Sequence, residues 1–268
     1  MSSAYHPTSQ PDDVLLASRD ARGVVTLTLN RPQAFNALNE ALLQALQAAL
    51  DAIAADPSVR VLVIGAAGSA FCAGHDLKQM RASPSLDYYQ QLFARCSAFM
   101  LSLQRLSVPV IARVQGMATA AGCQLVAQCD LALAADTARF ATSGVNYGLF
   151  CATPGVALSR NIGRKAAFEM LVGGDFISAS QAQTQGLINH AVAPDALDAA
   201  LEQLVARILA KPAVAIAMGK GLFYRQIEAG IEAAYTDAWQ TMACNMMDAN
   251  ALEGVQAFIE KRTPRFTP

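Results

Sequence analysis

Charge is scarce in this chain, and what there is nearly cancels. Of 268 residues 15% are charged, 20 Lys and Arg against 21 Asp and Glu, for a formal net charge of −1. That balance leaves no basic field for a nucleic-acid backbone, and no run of like charges marks an interaction tail. Long apolar runs are also missing, since Arg, Gln or Asp interrupts each one well short of a bilayer span. Residues 1–13 carry neither a basic n-region nor an apolar h-region. The expectation is a soluble protein with no nucleic-acid or membrane partner, cytoplasmic or, in a eukaryote, in the mitochondrial matrix. The six cysteines, at 72, 96, 123, 129, 151 and 244, form no C-x-x-C pair, which argues for reduced thiols and against a zinc cage, any other metal site or a disulfide framework. Neither G-x-G-x-x-G nor G-x-x-x-x-G-K-[ST] occurs, so a nucleotide cofactor is not expected, and without a G-x-S-x-G elbow a serine hydrolase ranks last.

What the chain has is apolar material in a regular order. At 53% hydrophobic it can bury a full-sized core. After a loose lead (1–13), Val14 to Ser18 and Val24 to Leu29 read as a hairpin. Asn39 is placed to cap a helix over Glu40 to Ala55, with Leu42, Leu43, Leu46, Leu50 and Ile53 on one stripe. Val59 to Ile64, Pro109 to Val114 and Asp130 to Ala135 are continuous apolar runs of the kind covered on both faces of a parallel sheet. A helix over Asp87 to Leu106 separates the first two, so strand, crossover and strand point to parallel βαβ units of an α/β fold. Beyond Pro154 the pattern turns helical: Arg164 to Val172, Ser180 to Gln185, Leu197 to Leu209, Val214 to Phe223 and Glu228 to Asn250. The division expected is one core domain over 14–200 and a helical C-terminal region over 201–268.

Two loops of small residues, Ser69 to Leu77 and Gly116 to Gly122, each follow a buried strand, the usual place of a ligand crevice in an open α/β fold. Small side chains let a ligand approach backbone N–H groups. A helix starting near Ala120 would also leave its first N–H groups unpaired at the positive end of its dipole. Together the loops could supply a two-donor oxyanion hole. Close packing against a neighbouring strand is the plainer reading of either loop alone.

The order of the motifs resembles the crotonase (enoyl-CoA hydratase/isomerase) superfamily from about residue 24 to the C-terminus. The resemblance rests on Asn30-Arg31-Pro32 with Asn36-Ala37-Leu38, Ala70 to Lys78, Val108 to Ala112 with Gly116 to Leu125, Cys129-Asp130, Thr153-Pro154-Gly155, Ile177-Ser178-Ala179 and Phe258 to Lys261. Ala118 to Leu125 and Gly148 to Cys151 resemble one particular branch of it. The resemblance implies a ββα spiral core with a C-terminal trimerisation region, assembled as a homotrimer or dimer of trimers, and a coenzyme A thioester as substrate with no further cofactor. By position it implies that the N–H groups of Ala73 and Ala121 hold the thioester oxygen. Asn36, Ala37 and Leu38 with Ala70, Cys72, Asp76, Leu77 and Lys78 would line the CoA path, Tyr147 and Cys151 the acyl pocket, and Phe258 and Lys261 a neighbour's CoA.

One departure limits the activity carried over. Where hydratases of this family place two glutamates, the chain has Gln124 and Gly144, and neither transfers a proton. Gln124, three residues beyond Ala121, would turn its amide into the acyl site. Losing proper acid–base groups costs typically about 10²–10⁴ each. His75 is the candidate substitute, with a solvent-facing or phosphate-contacting role as the alternative. Asp76 reads as a loop brace, Cys123 as core, Asp130 as a local cap or pair and His190 as a satisfied structural histidine. An acyl-CoA hydratase or isomerase with an atypical proton carrier, and an acyl-CoA-binding or regulatory protein with little turnover, both fit this sequence.

Overall fold

Two sheets of unequal size organise the chain. The computed structural model describes residues 5, 7, 10 and 12–267, so most of the expected 1–13 lead lies outside the described residues. Tyr5 is tied down: its N–H donates to Asp56 and its carbonyl accepts from Arg19. β1 (Leu15–Arg19) and β2 (Val24–Leu29) form the predicted antiparallel hairpin. α1 (Glu40–Ala54) begins at Asn39, whose side chain accepts from Leu42 N at 2.9 Å, and it buries the predicted stripe.

From there the chain repeats one unit: a long strand, a short strand, then helix. β3 (Val61–Ala66), β4 (Ala70–Cys72), α2 (Leu77–Ala82) and α3 (Leu86–Arg105) make the first unit; β5 (Val110–Val114), β6 (Met117–Thr119) and α4 (Ala121–Gln128) make the second. β7 (Leu131–Ala135), β8 (Arg139–Ala141), α5 (Ala152–Asn161) and α6 (Arg164–Gly173) make the third, and β9 (Ile177–Ser178), α7 (Ala179–Gln185) and β10 (His190–Val192) complete both sheets. The long strands build a six-stranded sheet, β1-β2-β3-β5-β7-β10, parallel from β2 onward. The short ones build a four-stranded sheet, β4-β6-β8-β9, parallel except at β9. This is an α/β spiral of ββα turns.

The core lies between the two sheets and under α1, α3 and α4, where Phe71, Phe99 and Phe140 are fully buried among leucines. Each such side chain contributes roughly 1.5–3 kcal/mol relative to leaving it in water. Four helices come after β10: α8 (Leu197–Leu209), α9 (Ala213–Gln226), α10 (Ile231–Met246) and α11 (Ala249–Ile259). α8 covers the other face of the large sheet, where Leu197 and Val205 pack with Val61, Val63, Ile111 and Leu133. The boundary expected at 200/201 therefore falls inside a helix that belongs to the core. The single helix expected over Glu228 to Asn250 is two: Gly230 begins α10, and Asp248 caps α11 by accepting from Asn250 N. The helical stretch expected after Pro154 starts earlier, because Pro154 sits in the first turn of α5, where its missing N–H has no helical partner to lose. His190, expected to be a satisfied structural histidine, is exposed.

α9 is fastened to the core by two side chains, Lys220 and Tyr224. Lys220 Nζ donates to Leu103 O and Val108 O at 2.9 Å each and to Asp130 Oδ2 at 2.7 Å. Tyr224 OH donates to Asp130 Oδ1 at 2.7 Å, and Val110 N donates to Asp130 Oδ2. Asp130, expected to pair locally, instead joins β5, the start of β7 and a helix 90 residues away. Burial pulls the Lys220 ammonium below its ordinary pKa, against the attraction of Asp130.

Candidate functional site

Three short parallel strands end side by side, and the segment after each strand forms one wall of a shared cavity. β4 leads into Ala73, Gly74 and His75, β6 into Ala120 and α4, and β8 into Ser143 and Gly144, all on or beside the cavity surface. α2 and α3 roof it with Leu77, Met80 and Phe93; Tyr147, Leu149, Phe150 and Cys151 close the far side. Among the described residues no carboxylate, lysine or arginine lines it. It is an apolar crevice whose polar features are main-chain amides, one imidazole, hydroxyls and one thiol.

The middle wall has the most constrained backbone. Ala120 adopts φ +50°, ψ −121° at the start of α4, with no side-chain cap, a conformation that costs a non-glycine residue about 1–3 kcal/mol. Its N–H donates to Ala141 O at 3.0 Å. The next N–H, that of Ala121, is the first of the helix and has no hydrogen-bond partner among the described residues. The neighbouring loop comes within touching distance of it. A Cβ on Gly74, which has φ +91°, would lie 2.9 Å from Ala120 Cβ and 3.3 Å from Ala121 N, so only glycine lets the two turns approach this closely.

Ala73, expected to be the second donor, is a correction: its N–H donates to Phe35 O at 3.0 Å and is not free. The unpaired amide of that turn is two residues further on. Leu38 N donates to Gly74 O at 2.7 Å and Asp76 N to Leu38 O at 3.1 Å, a parallel bridge straddling His75. Alternation along an extended segment turns the His75 N–H away from Leu38, and it has no partner among the described residues. The motif locates the turn but misses its unpaired amide by two residues, because the Phe35 carbonyl that occupies Ala73 comes from a turn that sequence spacing does not place.

The His75 ring is neither solvent-facing nor phosphate-contacting. It packs edge-on to Phe93 at 5.4 Å between centroids, and neither ring nitrogen makes a hydrogen bond. Burial pushes its pKa down to about 4, so the imidazole is neutral at pH 7. Gln124 corrects a second expectation: α4 is buried along its whole length, and Gln124, 5% exposed, does not line the cavity. Its Oε1 makes no hydrogen bond. Gly144 does line the cavity, but a Cβ there would collide with Leu149 O and stand 2.8 Å from Cys151 Sγ. The position has no space for a side chain.

Most of the expected CoA-path residues are structural. Asn36, fully buried with φ +54°, accepts from Arg31 N and donates to Ala67 O and Ala70 O, each at 2.8 Å. The side chains of Ala37, Leu38, Ala70 and Cys72 are buried. Asp76 is the loop brace: it caps α2 through Lys78 N and Gln79 N and pairs with Arg31 at 3.0 Å. Although burial raises its pKa, Arg31 and those amides hold the carboxyl below its ordinary range. Leu77 and Lys78 remain exposed at the start of α2. Phe258 and Lys261 are exposed on and just after α11, away from the cavity wall. All six cysteines are free thiols; burial pushes Cys72, Cys96 and Cys123 up to about 12 and also raises Cys151. Motif reasoning misses Ser143, on the cavity wall, and Thr119, 7% exposed, whose hydroxyls lie 2.8 Å apart. Adjacency to Gly144 is the available signal for Ser143. Among the described residues no cluster of three or more His, Cys, Asp or Glu could hold a metal, and no helix is long and apolar enough to cross a membrane.

A spiral of ββα turns whose short strands deliver unpaired amides to an apolar crevice defines a crotonase-type protein. The chain belongs to the enoyl-CoA hydratase/isomerase family, whose model matches residues 19–268. It is 42% identical to the Xenopus laevis mitochondrial enoyl-CoA hydratase domain-containing protein 3, over 100% of this chain and 90% of that one. Among solved structures it is similar to an enoyl-CoA hydratase from Mycobacterium smegmatis, at 67% identity and TM-score 0.93 over 94% of this chain and 98% of that one. Human enoyl-CoA hydratase domain-containing protein 3 is also similar, at 40% identity and TM-score 0.91 over 94% and 100%. These matches agree with the branch resemblance carried by Ala118 to Leu125 and Gly148 to Cys151.

Proposed function

We propose that the cavity binds the acyl thioester of coenzyme A, with the thioester oxygen between the N–H groups of His75 and Ala121. The observation that carries this is a pair of unpaired main-chain amides on adjacent turns, at the mouth of α4 and inside an apolar crevice. Donors fixed in that way stabilise negative charge on the oxygen as the α-carbon loses a proton, with no reorganisation at the moment of reaction. Thioester polarisation is thus built in. Proton transfer is not: Gly144 has no side chain, Gln124 carries an amide in place of a carboxylate, and His75 is neutral with both nitrogens covered.

A second reading is favoured by that same absence of carboxylates from the wall: a protein that holds acyl-CoA and converts it slowly. In either case Leu77 and Lys78 flank the path of the CoA arm, and Ala73, Tyr147 and Cys151 border the ligand. The helical region leaves Ile231, Tyr235, Trp239, Met242 and Phe258 exposed, a face suited to assembly as a trimer or dimer of trimers, which would bring Phe258 and Lys261 toward a neighbour. Free thiols fit a reducing compartment, cytoplasm or mitochondrial matrix.

The test measures both binding and water addition with short- and medium-chain enoyl-CoA esters, beside a form whose Ala121 amide is replaced by an ester linkage. That exchange removes one N–H and no side chain. A loss of about 10²–10³ in turnover is expected if the parent turns over, and a matching weakening of carbonyl binding if it does not. Unchanged behaviour refutes the role of Ala121.

A further inference from the structure

None of the exclusions that bar Gly144, Gln124 and His75 from proton transfer reaches one further side chain of the wall, the Cys151 thiol. Cys151 stands at the start of α5, is 6% exposed, and lines the same crevice as Ala121. The glycine at 144 is what leaves room for it. A Cβ there would stand 2.8 Å from Cys151 Sγ, inside contact distance, so the sulfur fills space on the cavity surface that a side chain at 144 would need. The thiol and the unpaired Ala121 N–H thus share one mostly apolar cavity.

Elimination singles out the sulfur as the proton carrier of the wall. The lining side chains that can give or take a proton are His75, Ser143, Tyr147, Cys151 and Thr153. With its pKa pushed down to about 4 and both nitrogens covered, the His75 ring is too weak a base to hold a proton taken from carbon. The Ser143 and Thr153 hydroxyls need a base beside them to ionise, and the neighbour of Ser143 is another hydroxyl, that of Thr119. Tyr147 is exposed at the edge of the crevice. Cys151 remains. Burial raises its thiol above the ordinary value of 9.0, with hydrogen bonding to the Gly144 backbone pulling the other way, so it holds its proton at pH 7 and becomes a strong base once it loses it. Its ionisable neighbour on α4 is the Cys123 thiol, pushed up to about 12 by burial and then by Cys151 itself.

We infer that Cys151 is a catalytic residue that exchanges a proton with the α-carbon of an acyl-CoA thioester. The thiolate takes a proton from C2 and becomes S–H, while the C–H electron pair moves into the thioester as an enolate whose oxygen is held by the main-chain amides. The S–H, its proton first traded with solvent, then gives a proton back to C2 and the thiolate is restored. Atoms and charge balance with water as the sole other participant. The inference rests on the acyl-CoA reading and supplies the proton carrier that reading lacks.

The experiment incubates butyryl-CoA, which has no double bond to hydrate, in heavy water with the parent, C151A, C151S and C244A. Loss of the C2 proton signal is followed by NMR from about pH 7 to about pH 9, and binding of the ester is titrated in parallel. Above the protein-free blank, the parent should exchange the C2 protons at a rate that climbs roughly tenfold per pH unit, as the thiolate fraction does below its pKa. C151A and C151S should lose about 10²–10⁴ of that rate, together with its pH slope, and still bind butyryl-CoA within about twofold of the parent. C244A changes the exposed cysteine and should match the parent. A parent that binds the ester without exchanging it, or a C151A protein that exchanges as fast as the parent, overturns the inference and leaves the acyl-CoA reading intact. Failure of the parent to bind overturns both. Should C151A fold poorly, C151S differs from the parent in a single heavy atom and carries the same test.

Discussion

Restoring the missing carboxylates should succeed at one position and fail at the other, because the two are packed differently. At Gly144 a Cβ would collide with Leu149 O and lie 2.8 Å from Cys151 Sγ, inside the roughly 3.5 Å at which carbon contacts are attractive. The nearer atom is backbone, so relief requires moving the Leu149 segment itself. Gly144→Glu and Gly144→Ala should each lose about 1–3 kcal/mol, the usual cost of overpacking, and Gly144→Glu should gain no hydratase activity. The alanine variant separates the clash from the charge, since both share the Cβ. Gln124→Glu is nearly isosteric, so it fits. Its buried carboxyl would titrate high, and the variant should match the parent below the unfolded glutamate pKa of about 4.3 and lose stability as pH rises above it. Urea unfolding of the four proteins at pH 4 and pH 7, with crotonyl-CoA hydration followed alongside, reads all of this. A Gly144→Glu protein as stable as the parent and faster in hydration refutes the steric argument.

Two further outcomes are expected. The His75 pKa near 4, against the ordinary 6.5, means the unfolded chain takes up a proton before the native one does. Stability is then complete above pH 6.5 and falls as pH drops toward 4, by on the order of 3 kcal/mol; His75→Phe should flatten that part of the pH profile in chemical denaturation, and an unchanged slope assigns the effect elsewhere. Lys220→Met strands the Leu103 and Val108 carbonyls and removes the cation beside Asp130. It should cost about 3–5 kcal/mol, and a loss under about 1 kcal/mol by calorimetry means water replaces the ammonium.

The long elements are readable because each obeys one period over many residues. Leu42 to Ile53 marks a helical stripe, Val59 to Ile64 a strand covered on both sides, and Leu197 to Leu209 matches α8 at both ends. The strands that build the site are not readable. Ala70–Cys72, Met117–Thr119 and Arg139–Ala141 are three residues each, too short to show alternation, and they are defined by pairing with one another. The same limit moves the unpaired amide from Ala73 to His75, since the Phe35 carbonyl distinguishes them. Gln124 departs from expectation for a related reason: an i+3 offset gives a shared helix face but not what covers that face, and on α4, buried along its whole length, Ala121 reaches the cavity lining while Gln124 is not part of it. Asp130 pairs with Lys220 across 90 residues, a distance at which spacing carries no information.

The two amides offered to the crevice belong to peptide bonds, and every amino acid but proline brings the same N–H. Substitution at 75 or 121 can therefore redraw the walls of the crevice and leave both N–H groups in place. In such a scaffold the amides are inherited with the chain path, while the side chains around them are free to drift one position at a time.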